Sequence, residues 1–275
     1  MAIPRKRLNA RLTLCFLGFL CATVLGFIFL GSRLFAFDMV RRMRNEHPEL
    51  AAVPQPLPDS TVNPAEGMSL ARFGYAFEVP WKDLDGIRDF DSGSAMSFKS
   101  GRRVMFMGPK AHVDRIKTIF ESSAGSGKDP RSVLGARTLS SNYEFVRASL
   151  ETDPTRASLL TPTNEIIRAS ILLLIKYSES TGFKSGLYGL ESAGFRGFQK
   201  GSPATGENGA TLQLFDADDH EIEIHVATAN PTLAPVTQAD LNRILQTLRR
   251  IDAAPDQGAQ SPQHAASPPP STRRS

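Results

Sequence analysis

Four aspartates lie within nine residues of the chain and have the chemistry of a cation site. They are Asp83, Asp85, Asp89 and Asp91. Carboxylate oxygens are the ligands that a hard cation such as Ca²⁺ prefers, but the spacing is not that of an EF-hand loop and no glutamate closes the segment. Acidic runs of this kind are usually solvated. We therefore expect residues 83–91 to form a solvated loop between strands.

A second polar cluster contains Asp216, Asp218, Asp219 and His220. It separates two segments that have the alternation of β-strands. Aspartate is common in tight turns because its side chain accepts hydrogen bonds from nearby backbone N–H groups. The cluster therefore predicts the turn of a β-hairpin.

The strand after this turn carries a candidate acid–base pair. His225 falls on the same strand face as Glu221 and Glu223, since side chains alternate along a strand. A histidine and a carboxylate can act as general base and acid. No nucleophile lies near them in sequence, and a polar strand face most simply faces solvent. A hydrolase with its site on this polar face is the alternative to a binding function.

The sequence contains no complete catalytic or nucleotide-binding motif. Residues 124–129 (AGSGKD) approach a phosphate-binding loop, but Ser122 replaces its first glycine and Asp129 its hydroxyl residue. GxSxG, HExxH and SxxK motifs are missing. Both cysteines, Cys15 and Cys21, lie in an apolar N-terminal stretch, so the rest of the chain has no thiol. We assign no catalytic, cofactor-binding or metal-binding residue and expect no cofactor.

The high isoelectric point of about 9.2 comes from the ends of the chain. Of the 32 Lys and Arg residues, eight lie in the first 45 residues and two at 273–274, which leaves 22. Residues 60–251 hold these 22 together with 22 Asp and Glu residues. A nucleic-acid-binding protein needs surplus positive charge to neutralise phosphates. The neutral central region argues against nucleic acid as a partner.

The N-terminal region is typical of a membrane anchor. Residues Leu12–Leu30 contain no charged side chain, and such a helix spans about 28 Å, close to the ~30 Å hydrocarbon core of a bilayer. A cleaved signal peptide has a shorter apolar core and a small-x-small cleavage site, and neither is present. We predict an uncleaved signal-anchor, a single transmembrane helix over residues 12–31 that contacts the lipid bilayer.

The orientation of this anchor depends on the flanking cations. Four precede the apolar stretch and four follow it closely, so the positive-inside rule gives the two sides nearly equal weight. The N-terminal set is more compact, which favours a cytoplasmic N-terminus and a domain outside the cytoplasm. A cytoplasmic adaptor is the alternative.

Composition divides the remaining chain into four parts. Residues 1–11 are a basic N-terminus. Residues 32–68 are predicted to be a juxtamembrane segment followed by a proline-rich, extended linker. Residues 69–252 form the soluble domain. Residues 253–275, rich in Pro, Ser and Gln, are predicted to be a disordered tail.

Strand patterns occupy both ends of the domain. Residues 71–79 alternate between apolar and small or polar types and predict one half-buried strand. Trp81 follows it and is expected to be a buried plug. Two short strands flank the turn at Ser100–Gly101, and residues 211–216 and 220–227 form the C-terminal hairpin.

Helical periodicity indicates four helices. The first begins at Pro109, the second is capped by Ser141, and the third, which is the most apolar, begins at Thr161. The last is capped by Thr237. Its apolar stripe is predicted to consist of Leu241, Ile244, Leu245, Leu248 and Ile251.

The fold class that follows is α+β. After the transmembrane helix we predict one domain, in which an antiparallel sheet of about six strands is flanked by about four helices.

The order of these segments resembles the PsbP/Mog1-like α/β/α sandwich superfamily. The matching stretches are Gly74–Trp81, Thr211–Val226 and Thr237–Ile251. Members often begin with a strand of the form G-x-x-F-x-x-P-x-x-W, whereas here Trp81 directly follows Pro80. The resemblance implies a non-enzymatic binding or assembly role and assigns no functional residue. We therefore expect a membrane-anchored binding or assembly module with a protein partner of unknown identity.

Overall fold

The computed structural model describes residues 31–57, 61–110, 130–180, 186–192, 194–203 and 208–251. Within these ranges the chain is α+β, with two sheets and five α-helices. The strands are β1 (Gln55–Pro56), β2 (Met68–Arg72), β3 (Tyr75–Val79), β4 (Leu84–Phe90), β5 (Gly93–Phe98), β6 (Arg102–Lys110), β7 (Leu187–Ser192), β8 (Phe195–Lys200), β9 (Gly209–Phe215), β10 (Glu221–Thr228) and β11 (Arg249–Arg250). The helices are α1 (residues 31–46), α2 (Pro130–Leu134), α3 (Asn142–Glu151), α4 (Thr163–Ser178) and α5 (Gln238–Thr247).

The larger sheet contains eight strands in the order β1-β7-β8-β9-β10-β6-β5-β4. Its neighbouring pairs are antiparallel except for β1 and β7, which run parallel, so the sheet is mixed. The smaller sheet has the order β11-β3-β2.

The first core lies between the two sheets. One face of the large sheet contributes Met96, Phe106 and Ile224, all fully buried, because alternate side chains of a strand share a face. Phe77 of β3 and Ile244 of α5 pack against them. The rings of Phe77 and Phe106 are stacked, with their centroids 5.8 Å apart. The small sheet and α5 together therefore cover this face.

Helices α2, α3 and α4 cover the other face of the large sheet at β7, β8 and β9. Phe145 of α3 and Leu172 of α4 form a second core with Leu187, Phe198 and Phe215 of these strands. The large sheet is thus the middle of three layers.

The N-terminal described residues pack on the outside of the helical layer. Val40 of α1 and Leu50 of the short 3₁₀-helix Pro48–Ala51 are buried against Ile166 and Leu173 of α4. Strand β1 then joins the edge of the large sheet through β7. The segment predicted to be a juxtamembrane piece and extended linker therefore lies against the domain, because its apolar residues bury surface on α4.

Lys176 of α4 fastens this N-terminal segment. Its side chain is fully buried, and its Nζ donates hydrogen bonds to the carbonyl oxygens of Ala52 at 2.6 Å and Thr152 at 2.8 Å. Burial lowers the pKa of Lys176 to about 8, although the nearby Asp153 carboxylate opposes this change. One ammonium group thus joins the N-terminal segment, the end of α3 and α4.

The predicted single antiparallel sheet of about six strands, with about four helices, is wrong. The structure has an eight-stranded mixed sheet, a three-stranded sheet and five α-helices in the described ranges. Two strands of the large sheet carry little sequence signal. Strand β1 has only two residues and includes a proline. The sequence of β4, LDGIRDF, lacks the apolar alternation that indicates a strand, and six of its seven residues are exposed in the structure.

The predicted single strand over residues 71–79 is also wrong. Strand β2 ends at Arg72, and β3 returns from Tyr75. Phe73 and Gly74 both have positive φ angles, 49° and 80°, and form the turn. Two residues with positive φ suit a hairpin because their twist matches that of the flanking strands.

The membrane-spanning helix predicted over residues 12–31 lies, apart from Gly31, outside the described residues. The basic N-terminus at 1–11, the tail at 253–275 and most of the helix predicted from Pro109 lie outside them too. None of the helices in the described ranges is both long and apolar enough to cross a membrane.

Candidate functional site

Strand β4 forms an open edge of the large sheet. In the described part of the chain it pairs on one side only, with β5. The strand at the other edge, β1, has just two residues. The N–H and C=O groups along an unpaired edge can hydrogen-bond to an added strand. Strand β4 therefore offers the longer of the two edges for such pairing.

This edge carries most of the predicted acidic loop. The prediction of a loop is wrong, since residues 84–90 form β4. The four aspartates and Arg88 give residues 83–91 a net charge of −3. The carboxylate of Asp89 lies 3.4 Å from the Nε of Arg72. The acidic residues are therefore spread along a strand instead of converging on one point.

Asp83, just before the strand, has a structural partner. Its Oδ2 accepts a hydrogen bond from the backbone N–H of Ser100 at 2.7 Å. Partial burial would raise the pKa of Asp83, but this backbone hydrogen bond and further ones lower it overall. This carboxylate thus ties the start of β4 to the β5–β6 turn.

Two apolar side chains accompany the acidic residues of the edge. Ile87 and Phe90 are 40% and 38% exposed, and their spacing puts them on opposite faces of β4. The ring of Phe90 lies over Gly93, where an added Cβ would meet it at 2.6 Å. The edge thus combines open backbone groups, negative charge and exposed apolar surface.

The second polar cluster is a hairpin turn, and that prediction is confirmed: Asp219 has a φ of 64° between β9 and β10. Asp216, Asp218 and His220 each offer one ligand atom, all within 4.8 Å of one another, and they are the only such group among the described residues. Nη1 of Arg250 contacts the carboxylate of Asp218 and lies 3.5 Å from that of Asp216. The Arg250 guanidinium therefore already supplies positive charge to the carboxylates of Asp216 and Asp218.

The acidic groups of this turn also hold neighbouring elements in place. The hydroxyl of Tyr75 donates to Oδ2 of Asp216 at 2.8 Å. Burial would raise the pKa of Asp216, but hydrogen bonds from the backbone of His220 and from Tyr75 lower it. Burial and the same contact raise the pKa of Tyr75. Asp219 accepts hydrogen bonds from the first two N–H groups of α3. Contacts that hold β3 and α3 in place therefore explain the acidic residues of this turn.

The polar face of β10 is not a solvent face, contrary to prediction. Glu221 is fully buried and Glu223 is buried, while His225 is half-buried. Nε2 of Gln213 on β9 donates to Oε1 of Glu221 at 2.8 Å. Polar partners, Gln213 for Glu221 and His225 for Glu223, help these carboxylates to be buried.

Hairpin pairing supplies the hydroxyl that the sequence neighbourhood lacked. Thr211 is directly opposite His225, with 2.8 Å between its Oγ1 and the histidine Nδ1. The histidine Nε2 lies 3.6 Å from Oε2 of Glu223. A hydroxyl, an imidazole and a carboxylate in series can activate a nucleophile. The sequence does contain a signal for this contact. Thr211 and His225 are equally far from Asp218 at the turn, and residues at equal distances from a hairpin turn pair across it.

Two cavities lie elsewhere in the described part of the chain. The larger has a volume of about 390 Å³ and adjoins the turn at Asp216. The smaller, about 150 Å³, lies between α3 and α4 and is lined by three arginines and two glutamates. Arg147 there is already paired with Glu144 and Glu151, each at 3.1 Å. Neither cavity is lined by Thr211.

The phosphate-loop-like residues 124–129 and both cysteines, Cys15 and Cys21, lie outside the described residues.

Comparison with known proteins identifies no relative: no family model, curated protein or solved structure matches the chain. The resemblance to the PsbP/Mog1-like sandwich therefore stays a prediction from the order of segments.

Proposed function

We propose that this protein is a membrane-attached binding module whose edge strand β4 pairs with an extended, basic segment of a protein partner. The observation that carries the proposal is the exposure of six of the seven residues of β4 at an edge of the large sheet. Adding a strand to an exposed edge is a recurrent mode of peptide recognition, with backbone hydrogen bonds providing affinity and side-chain contacts providing specificity.

The charge of the edge determines which partner it favours. Pairing between two copies of residues 83–91 would bring together two segments of charge −3, and like charges opposite each other destabilise a strand pair. A basic segment would gain from the same charges. Ile87 and Phe90 add apolar contacts on the two faces of the strand. A basic, extended and partly apolar segment therefore fits best.

The uncharged stretch Leu12–Leu30 supports attachment to a lipid bilayer. Helix α1, described from residue 31 onward, packs on α4, so the domain would stay close to the membrane. The compact N-terminal cations favour a domain outside the cytoplasm. A phosphatase reporter fused after residue 275 should be active on that side, and an inactive reporter would favour the cytoplasmic adaptor.

Affinity capture from membranes tests the binding function. The full-length chain should retain a stoichiometric protein partner. The double variant Asp85→Lys, Asp91→Lys should lose it, because the edge then repels a basic segment. Glu191→Lys is the matched control, since Glu191 is an exposed acidic residue of β7 away from this edge. Equal recovery of the partner by wild type and the β4 variant would contradict the proposal.

The second candidate function is a hydrolase, which the contact between Thr211 and His225 favours. In this reading the Thr211 hydroxyl is the nucleophile, His225 the general base and Glu223 the group that orients the base. Wild type should then hydrolyse activated esters, and Thr211→Val and His225→Gln should each abolish the activity while leaving unfolding unchanged. Activity that survives both substitutions would exclude this site.

A further inference from the structure

Four exposed apolar side chains lie on two segments, the first described residues of the chain and the turn before α4. Phe35 and Leu160 are 74% and 91% exposed, and Leu34 and Leu159 are exposed as well. Arg33 Nη2 donates a hydrogen bond to the carbonyl oxygen of Leu159, which joins the first described turn of α1 to the turn before α4. These four apolar residues, here called the N-terminal apolar patch, therefore lie on two segments that Arg33 holds next to each other.

The turn that carries Leu159 and Leu160 is fixed by hydrogen bonds. The N–H of Thr161 donates to the carbonyl of Ser158 at 3.1 Å, and the N–H of Ser158 donates to the Thr161 hydroxyl at 3.0 Å. Arg33 Nη2 also donates to the carbonyl of Thr161 at 3.1 Å. The turn therefore holds both leucines out from the domain.

The position of the patch along the chain sets its distance from a bilayer. Phe35 follows Gly31 by four residues, about 6 Å along a helix. The uncharged stretch ends at Leu30. The interfacial layer on each side of a bilayer is about 5–8 Å thick. If Leu12–Leu30 enters the bilayer, the patch falls within this layer; this step rests on the membrane attachment proposed above.

We infer that the N-terminal apolar patch inserts into the interfacial layer of the bilayer that holds the chain. Apolar side chains are favoured there over water. Arg33 and Arg156 flank the patch, and the Arg156 side chain is 84% exposed. Guanidinium groups at this level suit anionic headgroups. The domain thus contacts the membrane through two segments, the first described turn of α1 and the turn before α4, and this fixes its tilt.

The test uses the full-length chain in vesicles of phosphatidylcholine with a minor share of phosphatidylglycerol. Cys15→Ser and Cys21→Ser remove the native thiols. Leu160→Cys or the control Leu233→Cys then carries a nitrobenzoxadiazole fluorophore. Leu233 is 81% exposed and lies in the segment between β10 and α5, away from the patch. Vesicle flotation reports attachment to the membrane. Quenching of the fluorophore by lipids with a shallow doxyl group reports insertion into the interfacial layer, and quenching by aqueous iodide reports exposure to water.

The inference predicts that the probe at position 160 is quenched several-fold more by doxyl lipid than the probe at 233, and is shielded from iodide. Iodide access at both positions would overturn it while leaving the membrane attachment intact. Shielding of position 160 from iodide without quenching by doxyl lipid would also overturn it, since a protein would then cover the patch. Failure to float with vesicles would overturn both the attachment and this inference.

Discussion

The buried ammonium group of Lys176 predicts a specific dependence of stability on pH. Its Nζ holds the carbonyl oxygens of Ala52 and Thr152 inside the protein. Burial lowers its pKa from an ordinary 10.5 to about 8. Removing its charge by raising the pH should therefore stabilise the folded state.

The sign follows from proton binding. Between about pH 8 and about pH 10.5, the unfolded chain holds more protons on this lysine than the folded chain does, so the free energy of unfolding rises with pH. Below about pH 8 both states are protonated, and the cost of burying the charge is present in full. One pKa unit corresponds to about 1.4 kcal/mol. The expected gain from about pH 7 to about pH 9.5 is then about 2 kcal/mol.

Lys176→Met isolates this effect, because methionine keeps most of the apolar stem and does not titrate. Guanidinium unfolding can be followed by the fluorescence of Trp81, which is buried in the first core. The stability of wild type relative to Lys176→Met should rise by about 2 kcal/mol across that range. Lys82→Met, at an exposed lysine paired with Glu66, should show no such change. Parallel curves for wild type and Lys176→Met would refute the reasoning.

Two further substitutions test the sheet and the hairpin turn. Gly197→Ala should lower the free energy of unfolding in urea by about 1–3 kcal/mol, because its Cβ would lie 2.0 Å from the carbonyl oxygen of Gln213. Gly189→Ala is the control, since a Cβ there meets nothing within 4 Å. Equal costs for the two substitutions would contradict the close approach of β8 and β9. Asp219→Ala should cost about 1–2 kcal/mol, because it removes the acceptor for the first two N–H groups of α3. Asp219→Asn should cost less, since asparagine tolerates the positive φ, and an unchanged urea midpoint for Asp219→Ala would count against this cap.

Local chemistry could be predicted from the sequence. The Ser141 hydroxyl accepts from the N–H of Glu144 at 3.0 Å, and Thr237 forms a capping box with Asp240; both caps begin the helices that were predicted. Trp81 is buried and lies edge-on to Phe98, as a plug should. Both caps depend on residues within a few positions of one another, and the burial of Trp81 follows the general tendency of tryptophan to be buried.

Features that depend on distant pairing could not be predicted in the same way. Strand β4 is a strand because β5 pairs with it, not because its own residues alternate. The predicted apolar stripe of the last helix ends early, since α5 stops at Thr247 and Arg249–Arg250 pairs with β3. Ile251 consequently lies beyond the helix and is exposed. In both places contacts with another strand override the local pattern.

The candidate sites likewise combine features that the local sequence predicts with features that depend on distant pairing. The four aspartates from 83 to 91 were recognised as acidic, but their place on an open sheet edge follows from strand order. Lys176 has a signal in the sequence, since it is the single lysine of the most apolar helix, and the structure shows that it lies on the buried side. The burial of Glu221 and Glu223 depends on β9 and the layers around it, and no property of β10 alone predicts it.

The most direct test of the account is site-specific photo-cross-linking of the full-length chain in its native membranes. A photoreactive amino acid would replace Ile87 on β4 or, as the control, Leu233, which is also apolar and exposed. Position 87 should give one discrete cross-linked protein and position 233 none. A basic, extended peptide added in excess should compete with formation of the product. No product at position 87, or the same products at both positions, would contradict the claim that β4 is the binding edge.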